Sequence, residues 1–265
     1  MKQLIACIFA LILYFPALAQ EIPSLSADAA LLIDVDSDTI LYEKNKDKKE
    51  YPASMTKMMT CLLALEKGDP YHMITVSPQA AQVESTELSG GEWIRLSDLT
   101  YQMMLISDNG AATAIAETIG GSVPAFAAMM NEKAKALGCQ NTHFVNANGM
   151  PDENHYSTAE DMAKIALYGL RNPKFRTITA TKSKQVHYES ARSDLHCRNT
   201  NELLYTYPGC IGIKTGYTRA AGGCLTAAAT RNGKTLLVII MHAKDYDARF
   251  AEAAALLDYG FAQAG

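Results

Sequence analysis

Three short runs of residues could do chemistry. The first is Ser54-Met55-Thr56-Lys57. A serine hydroxyl is a weak nucleophile until a neighbouring base takes its proton. A lysine amine becomes that base only where burial or nearby positive charge lowers its pKa. Three positions apart on a helix, the two side chains share a face. Pro52 just upstream suits a helix start, and a helix N-terminus favours negative charge developing near Ser54. Taken alone, the run also reads as an ordinary N-cap followed by a solvated lysine, and Ser-x-x-Lys arises by chance in chains of this size.

The second run, Ser107-Asp108-Asn109, sits between two helical patterns and is followed by Gly110. All three residue types are good N-caps, which is the bland reading. The chemical reading makes Ser107 a proton relay and Asn109 a hydrogen-bond donor to a peptide carbonyl. The third run is Lys214-Thr215-Gly216 on a strand pattern. A glycine there lets a ligand backbone approach closely, and Lys214 with Thr215 could hold a carboxylate. The plain alternative is a strand that ends in a glycine turn beside a surface lysine. Each run occurs once, in the order Ser-x-x-Lys, Ser-x-Asn, Lys-Thr-Gly. That ordered set is the signature of class A β-lactamases and penicillin-binding proteins.

The elements that must position these runs follow from periodicity. Ala29 to Val35 and Thr39 to Tyr42 read as strands joined by a turn at Asp36-Ser37-Asp38. Ser54 to Glu66 reads as a helix with Met55, Met58, Met59, Leu62 and Leu63 on its apolar side and Gly68 beyond its end. Helical patterns recur over Leu96 to Leu105, Ala111 to Ile119, Val123 to Leu137 and Ala159 to Leu170. Gln185 to Tyr188, Gly212 to Thr215, Leu225 to Thr230 and Thr235 to His242 read as strands. Arg231-Asn232-Gly233 is a hairpin turn between the last two, and Ala248 to Tyr259 closes the chain as an amphipathic helix. Strands at both ends with helices between them predict an α+β fold. Its mostly antiparallel sheet joins the N- and C-terminal segments, with helices packed on it and a helical cluster in the middle of the chain.

Composition bounds the function. A chain of 265 residues, 48% hydrophobic and 20% charged, can bury a substantial core. Its formal charge of −4 and lack of a long basic run argue against nucleic acid as a partner. Lys2, the apolar stretch Leu4 to Phe15 and Ala17-Leu18-Ala19 form a secretory leader, with cleavage expected after Ala19. Residues 1–19 are thus a signal peptide and 20–265 a catalytic domain placed outside the cytoplasm, periplasmic or secreted. Five cysteines remain, too few for a disulfide scaffold; the one candidate bridge is Cys197 with Cys210. His196-Cys197 and His242 with Asp245 and Asp247 are conceivable metal ligands. The chain has no His-Glu-x-x-His or Cys-x-x-Cys pair, so neither a metal nor another cofactor is expected.

From about Ala29 to Phe261 the chain resembles the low-molecular-weight serine D-alanyl-D-alanine carboxypeptidases, penicillin-binding proteins of peptidase family S11. Beyond the three runs the resemblance includes Tyr51 to Thr60, His143-Phe144-Val145-Asn146, Asn148-Gly149-Met150-Pro151, His155 to Asp161 and Asn199-Thr200-Asn201. It implies a serine β-lactamase/DD-peptidase-like fold, with peptidoglycan stem peptides as substrates and β-lactam antibiotics as inhibitors. Ser54 becomes the nucleophile and Lys57 its base. Ser107 and Lys214 pass the proton to the leaving D-alanine, and Asn109 positions the peptide. Backbone N–H groups of Ser54 and Tyr217 form the oxyanion hole; Lys214, Thr215 and Arg249 receive the terminal carboxylate, and Gly216 belongs to the substrate-binding strand.

Two features depart from the family pattern. Asp108 stands where many members have glycine, and no β-rich domain or amphipathic anchor is seen after the catalytic domain, so no stable membrane anchor is expected. A class A β-lactamase would need a deacylating glutamate in a Glu-x-x-x-Asn run; Asp152-Glu153-Asn154-His155 lacks that spacing. Cleavage of cross-linked peptidoglycan by a D,D-endopeptidase would use every one of the same motifs. A non-catalytic penicillin sensor would tolerate loss of Lys57 or Ser107, and both are present.

Overall fold

The computed structural model describes residues 21–263. The leader, its cleavage site at Ala19 and Cys7 lie outside them. β1 (Ala29–Asp34) and β2 (Thr39–Lys44) form a hairpin, its turn held by Asp36 N donating to Asp34 Oδ1 at 3.0 Å. A 3-10 turn at Ala53–Thr56 leads into α1 (Lys57–Lys67). The small ribbon of β3 (Met73–Thr75) and β4 (Trp93–Arg95) follows. Next come α2 (Leu96–Leu105), α3 (Asn109–Gly120), α4 (Val123–Ala136), α5 (Ala159–Leu170) and α6 (Pro173–Ala180). A second ribbon pairs β5 (Ser183–Val186) with β6 (Leu195–Arg198), and a single turn, α7 (Leu203–Thr206), precedes the last strands. These are β7 (Cys210–Thr218), β8 (Gly222–Arg231) and β9 (Lys234–Ala243), and α8 (Ala248–Gln263) ends the described chain.

The main sheet is antiparallel with strand order β2-β1-β9-β8-β7. Its two faces feed two cores because successive strand residues point to opposite sides. Ala29, Leu31 and Ile33 of β1, with Leu237, Ile239 and Met241 of β9, face the helices of the middle of the chain. Ala30 and Leu32, with Leu236, Val238 and Ile240, face Ala253, Leu256 and Leu257 of α8. A sheet covered on both sides needs apolar residues at every position of its inner strands, and β1 is buried throughout. The β1–β9 ladder, Leu31 opposite Ile239, joins the two ends of the sequence. Among the described residues no helix is long and apolar enough to cross a membrane.

Most element types match the sequence reading, with three corrections. The first helix does not start at Ser54. Ala53 takes a left-handed φ of 47° and Ser54 sits in the 3-10 turn, so regular α-helix begins only at Lys57. Helix α6, the single turn α7, strand β6 and the ribbon β3–β4 were not legible, and β5 runs from Ser183 rather than from Gln185, because each is short and packed by its neighbours rather than patterned by itself. Cys197 and Cys210 are both free thiols. Cys197 lies in the β5–β6 ribbon opposite Lys184, whereas Cys210 opens β7 opposite Ala229, so the two thiols belong to different sheets. Burial pushes the Cys197 thiol up to about 12 and that of Cys210 up to about 11, leaving both protonated.

One loop crossing sets the site. The segment between α4 and α5 passes behind the 3-10 turn, and Gly149, at φ 88°, lies against it. A Cβ at Gly149 would overlap the Ala53 carbonyl, and no side chain could relieve the clash because the obstacle is backbone. Gly149→Ala should therefore cost more than about 2 kcal/mol in urea unfolding at pH 7. A loss below about 1 kcal/mol would show that the loop can retreat from Ser54.

Candidate active site

Ser54, Lys57 and Asn109 come from the 3-10 turn, the first residue of α1 and the first residue of α3. Lys57 Nζ lies 2.8 Å from Ser54 Oγ, 2.7 Å from Asn109 Oδ1 and 2.7 Å from the carbonyl oxygen of Asn148. Two of these neighbours can only accept hydrogen bonds. The side chain is 0% exposed. Burial first, and then the positive charge of Lys214, hold the amine well below its ordinary pKa; the Asp108 carboxylate works the other way. A neutral amine has two N–H groups and one lone pair. Asn109 and Asn148 take the two N–H groups, and the lone pair is left facing the Ser54 hydroxyl. This arrangement can remove a proton from Ser54.

The turn that presents Ser54 is strained. A non-glycine residue at the φ of Ala53 is uncommon and costs on the order of 1–2 kcal/mol. Its surroundings enforce it. Pro52 O accepts from Met55 N at 3.2 Å, Gly149 presses on one side and Gly216 of β7 on the other. A Cβ at Gly216 would stand 3.1 Å from Ser54 N, so any larger residue would push the strand backbone away from the turn by a few tenths of an ångström. Thr56 Oγ1 is tied to His155 Nε2 at 2.8 Å, and Thr60 donates to Ala147 O at 2.6 Å.

Asp108 explains how the second run is held. Its carboxylate accepts from Ala111 N at 2.8 Å, Thr86 Oγ1 at 2.7 Å, Glu87 N at 2.8 Å and Gln102 Nε2 at 2.9 Å. It is the N-cap of α3 and also a staple to the loop before β4. Ser107, between α2 and this cap, has a left-handed φ of 65° and is half-buried. Its hydroxyl makes no hydrogen bond to the lysine cluster among the described residues. The Asn109 amide is turned from the role expected for it: Nδ2 donates to the Glu84 carbonyl at 2.8 Å, and Oδ1 serves Lys57.

Lys214 and Arg249 are 1% exposed each. Lys214 Nζ donates to the Thr215 carbonyl at 3.1 Å, and burial, then the neighbouring Arg249 charge, lowers it to about 7. Arg249 Nη1 donates to the Gly216 carbonyl at 2.6 Å. The Thr215 hydroxyl meets that of Thr200 at 2.7 Å. Tyr217 is 49% exposed, its ring 5.8 Å from that of Tyr246. Glu153, the nearest thing in the sequence to a deacylating carboxylate, is exposed to solvent. Elsewhere, Asp28, Glu50 and His242 bring ligand-type atoms within 4.8 Å of one another. Lys48 Nζ stands 2.8 Å from Asp28 Oδ2 and 2.7 Å from Glu50 Oε1, so these carboxylates already have a cation.

Sequence reasoning missed the Asn148 carbonyl, the Glu84 carbonyl and His155, which act through backbone or through burial. The signals were the family-like block His155 to Asp161, which carried no role for His155, and the run Asn146 to Pro151, whose residue types form turns. In it Gly149 N donates to Asn146 Oδ1 at 2.7 Å and Met150 N to Asn148 Oδ1 at 3.0 Å, which aims the Asn148 carbonyl at Lys57.

A family model described as D-alanyl-D-alanine carboxypeptidase, peptidase S11, matches residues 17–245. A Bacillus subtilis protein named D-alanyl-D-alanine carboxypeptidase DacF is 36% identical over 89% of the chain, which spans 62% of that relative's length. An Escherichia coli protein named D-alanyl-D-alanine endopeptidase is 30% identical, covering 88% of this chain and 77% of its own. The crystal structure of a Streptomyces K15 DD-transpeptidase superposes with a TM-score of 0.86 at 31% identity, over 91% of this chain and 98% of that one.

His155 gives the site a dependence on acid. Val145 N donates to its Nδ1 at 3.1 Å, so the ring proton sits on Nε2 and is donated to Thr56 Oγ1. Burial, the largest cause, lowers the imidazole from 6.5 to about 4. The folded form therefore prefers neutral histidine. The contribution is complete above pH ~6.5 and is lost as pH falls towards about 4, by up to roughly 3 kcal/mol. Urea midpoints for the wild type should drop between pH 7 and pH 4.5, and the His155→Gln curve should be flatter. Parallel curves would remove His155 as the source.

Proposed function

Because the chain belongs to the D-alanyl-D-alanine carboxypeptidases of peptidase family S11, we propose that it removes the terminal D-alanine from peptidoglycan stem peptides through an acyl-enzyme on Ser54. The observation that carries this reading is the buried Lys57 amine, bonded to two carbonyl acceptors with the Ser54 hydroxyl 2.8 Å away. Lys57 takes the Ser54 proton as the oxygen attacks the carbonyl between the two terminal D-alanines. The backbone N–H groups of Ser54 and Tyr217 receive the developing oxyanion, and one such donor is worth about 3–4 kcal/mol in the barrier. The close approach of Gly216 to Ser54 N supports this pairing, since Tyr217 is the next residue of the same strand.

The proton then passes through Ser107 and Lys214 to the amine of the leaving D-alanine, and water releases the shortened peptide. Lys214, Thr215 and Arg249 receive the free carboxylate, while Gly216 lets the peptide backbone lie against β7. Asn109 serves the peptide by holding Lys57, and donates to it only if its amide leaves the Glu84 carbonyl. Penicillin presents a reactive carbonyl and a carboxylate at the same spacing and acylates Ser54. Asp152-Glu153-Asn154-His155 lacks the Glu-x-x-x-Asn spacing and Glu153 is exposed, so deacylation of the penicillin adduct should be slow. The leader over residues 1–19 delivers the catalytic domain outside the cytoplasm, where these peptides are.

Intact-protein mass spectrometry should show a one-to-one penicillin adduct that maps to the Ser54 peptide. Lys57→Ala should lose it with unchanged circular dichroism. The acylation rate should rise with pH through an inflection well below 10.5, the ordinary lysine value, because Lys57 must be neutral. No adduct, or one lost within seconds, overturns the reading. Release of D-alanine from a pentapeptide, set against cleavage of a cross-linked dimer, separates carboxypeptidase from endopeptidase action. Arg249→Ala should slow hydrolysis of the D-Ala-D-Ala peptide at least tenfold, about 1.4 kcal/mol, and change little on the C-terminally amidated analogue. Equal losses on both would confine Arg249 to the fold.

A further inference from the structure

Arg249 is an unusual place to keep a charge. It is among the largest fully buried side chains, yet its guanidinium makes one hydrogen bond, to the Gly216 carbonyl, and its Nε is buried with no partner. No described carboxylate forms an ion pair with it. A buried cation left so short of partners is normally costly. What it has instead is aromatic. The Tyr246 ring centroid stands 3.8 Å from the guanidinium carbon and that of Phe250 4.7 Å. Tyr246 also meets Tyr217 edge-on, the two rings at 65°. Tyr246 is 44% exposed, so it forms a rim between Arg249 and solvent.

The turn that carries this ring is pinned. Asp245 Oδ1 accepts from Asp247 N at 3.0 Å and Ala248 N at 2.7 Å, which starts α8 and fixes the residue between. The Asp245 carbonyl packs against Gly223 so closely that a Cβ there would overlap it. A large exposed aromatic on a turn held this firmly is placed for a purpose. An aromatic face stabilises a guanidinium without neutralising it, whereas a carboxylate would consume the charge that an incoming anion needs.

We propose that Tyr246 is a positioning residue: by stacking on Arg249 it keeps that guanidinium fixed, dry and unpaired, and so confers the preference for ligands that carry a free carboxylate. The stacked π face carries this work, and the Tyr246 hydroxyl adds only a weaker contribution to Arg249. Tyr217 meets the Tyr246 ring edge-on, and its own backbone N–H is the one assigned to the oxyanion hole. The inference rests on the proposed carboxylate role of Arg249 and deepens it.

The test compares second-order acylation of Ser54 by benzylpenicillin and by its methyl ester in which the carboxylate is masked. This ratio reads carboxylate recognition whatever the physiological peptide is. Tyr246→Leu keeps apolar bulk and removes the π face; Tyr246→Phe keeps the π face and removes the hydroxyl. In Tyr246→Leu the ratio of acid to ester should fall about fivefold to thirtyfold, the range expected for a desolvated cation–π contact. The fall should come from rates with the acid, while rates with the ester stay close to wild type. Tyr246→Phe should restore the ratio. Thermal midpoints of both variants accompany the kinetics, and a purely structural role would slow acid and ester together. Tyr246→Leu with a wild-type ratio, or equal losses on both ligands, overturns the proposal. A wild-type protein that does not prefer the acid to the ester instead refutes the carboxylate role of Arg249, and with it the reading on which the proposal stands.

Discussion

A lysine amine removed from solvent keeps its place only if each N–H finds an acceptor, and it acts as a base only if it is neutral. Lys57 meets the first condition, and its surroundings move it towards the second. Two carbonyl oxygens, from Asn109 and Asn148, occupy two directions and leave the third to Ser54. Burial supplies the lowered pKa, and Lys214 adds repulsion from beyond. Everything else near the site follows from holding those acceptors still. Asp108 caps α3 and thereby places Asn109. The Asn146–Pro151 loop folds on its own side-chain hydrogen bonds and thereby places the Asn148 carbonyl. His155 and Thr60 tie α1 and its preceding turn to the same loop.

The second constraint is crowding of backbone. Ser54 sits where β7, the 3-10 turn and the Gly149 loop converge; a side chain would have no room at Gly149 and only tight contacts at Gly216. The left-handed Ala53 is the cost of turning the chain there. Close-packed interiors resist small displacements, so strain at Ala53 is maintained by its neighbours on both sides. The strand that crowds Ser54 is the edge of the main sheet, paired only with β8. Its other edge is the natural place for an extended peptide to lie, by the hydrogen-bonding logic of strand addition.

Electrostatics complete the site. Lys57, Lys214 and Arg249 form a row of buried basic groups: Arg249 lowers Lys214, Lys214 lowers Lys57, and burial lowers all three. Such a row is unfavourable by itself, and the carboxylate proposed to bind there would offset that cost. Only the two lysines can relieve the repulsion by losing a proton, Lys214 at about 7, because a guanidinium stays charged. Aromatic rings around Arg249 offset part of its isolation without cancelling its charge.

Residue type and order determined a great deal. The three runs named Ser54, Lys57, Asn109 and Lys214, because nucleophile, base and cation are properties of side chains that local sequence carries. Apolar periodicity marked α2, α4, α5, α8 and the strands of the main sheet, because burial on one or both faces leaves a repeat in the sequence. What the sequence could not carry was everything decided between distant segments. The 3-10 start before α1 depends on Gly149 and Gly216 pressing from 95 and 162 positions after Ser54. The second acceptor for Lys57 is a backbone carbonyl, which every residue possesses and no residue type announces. Cys197 and Cys210 look like a pair on the line of the chain and are assigned to different sheets by strand pairing. The lowered pKa of Lys57 likewise belongs to tertiary structure alone, since desolvation is a property of what surrounds a group and no sequence position is buried until the chain has folded around it.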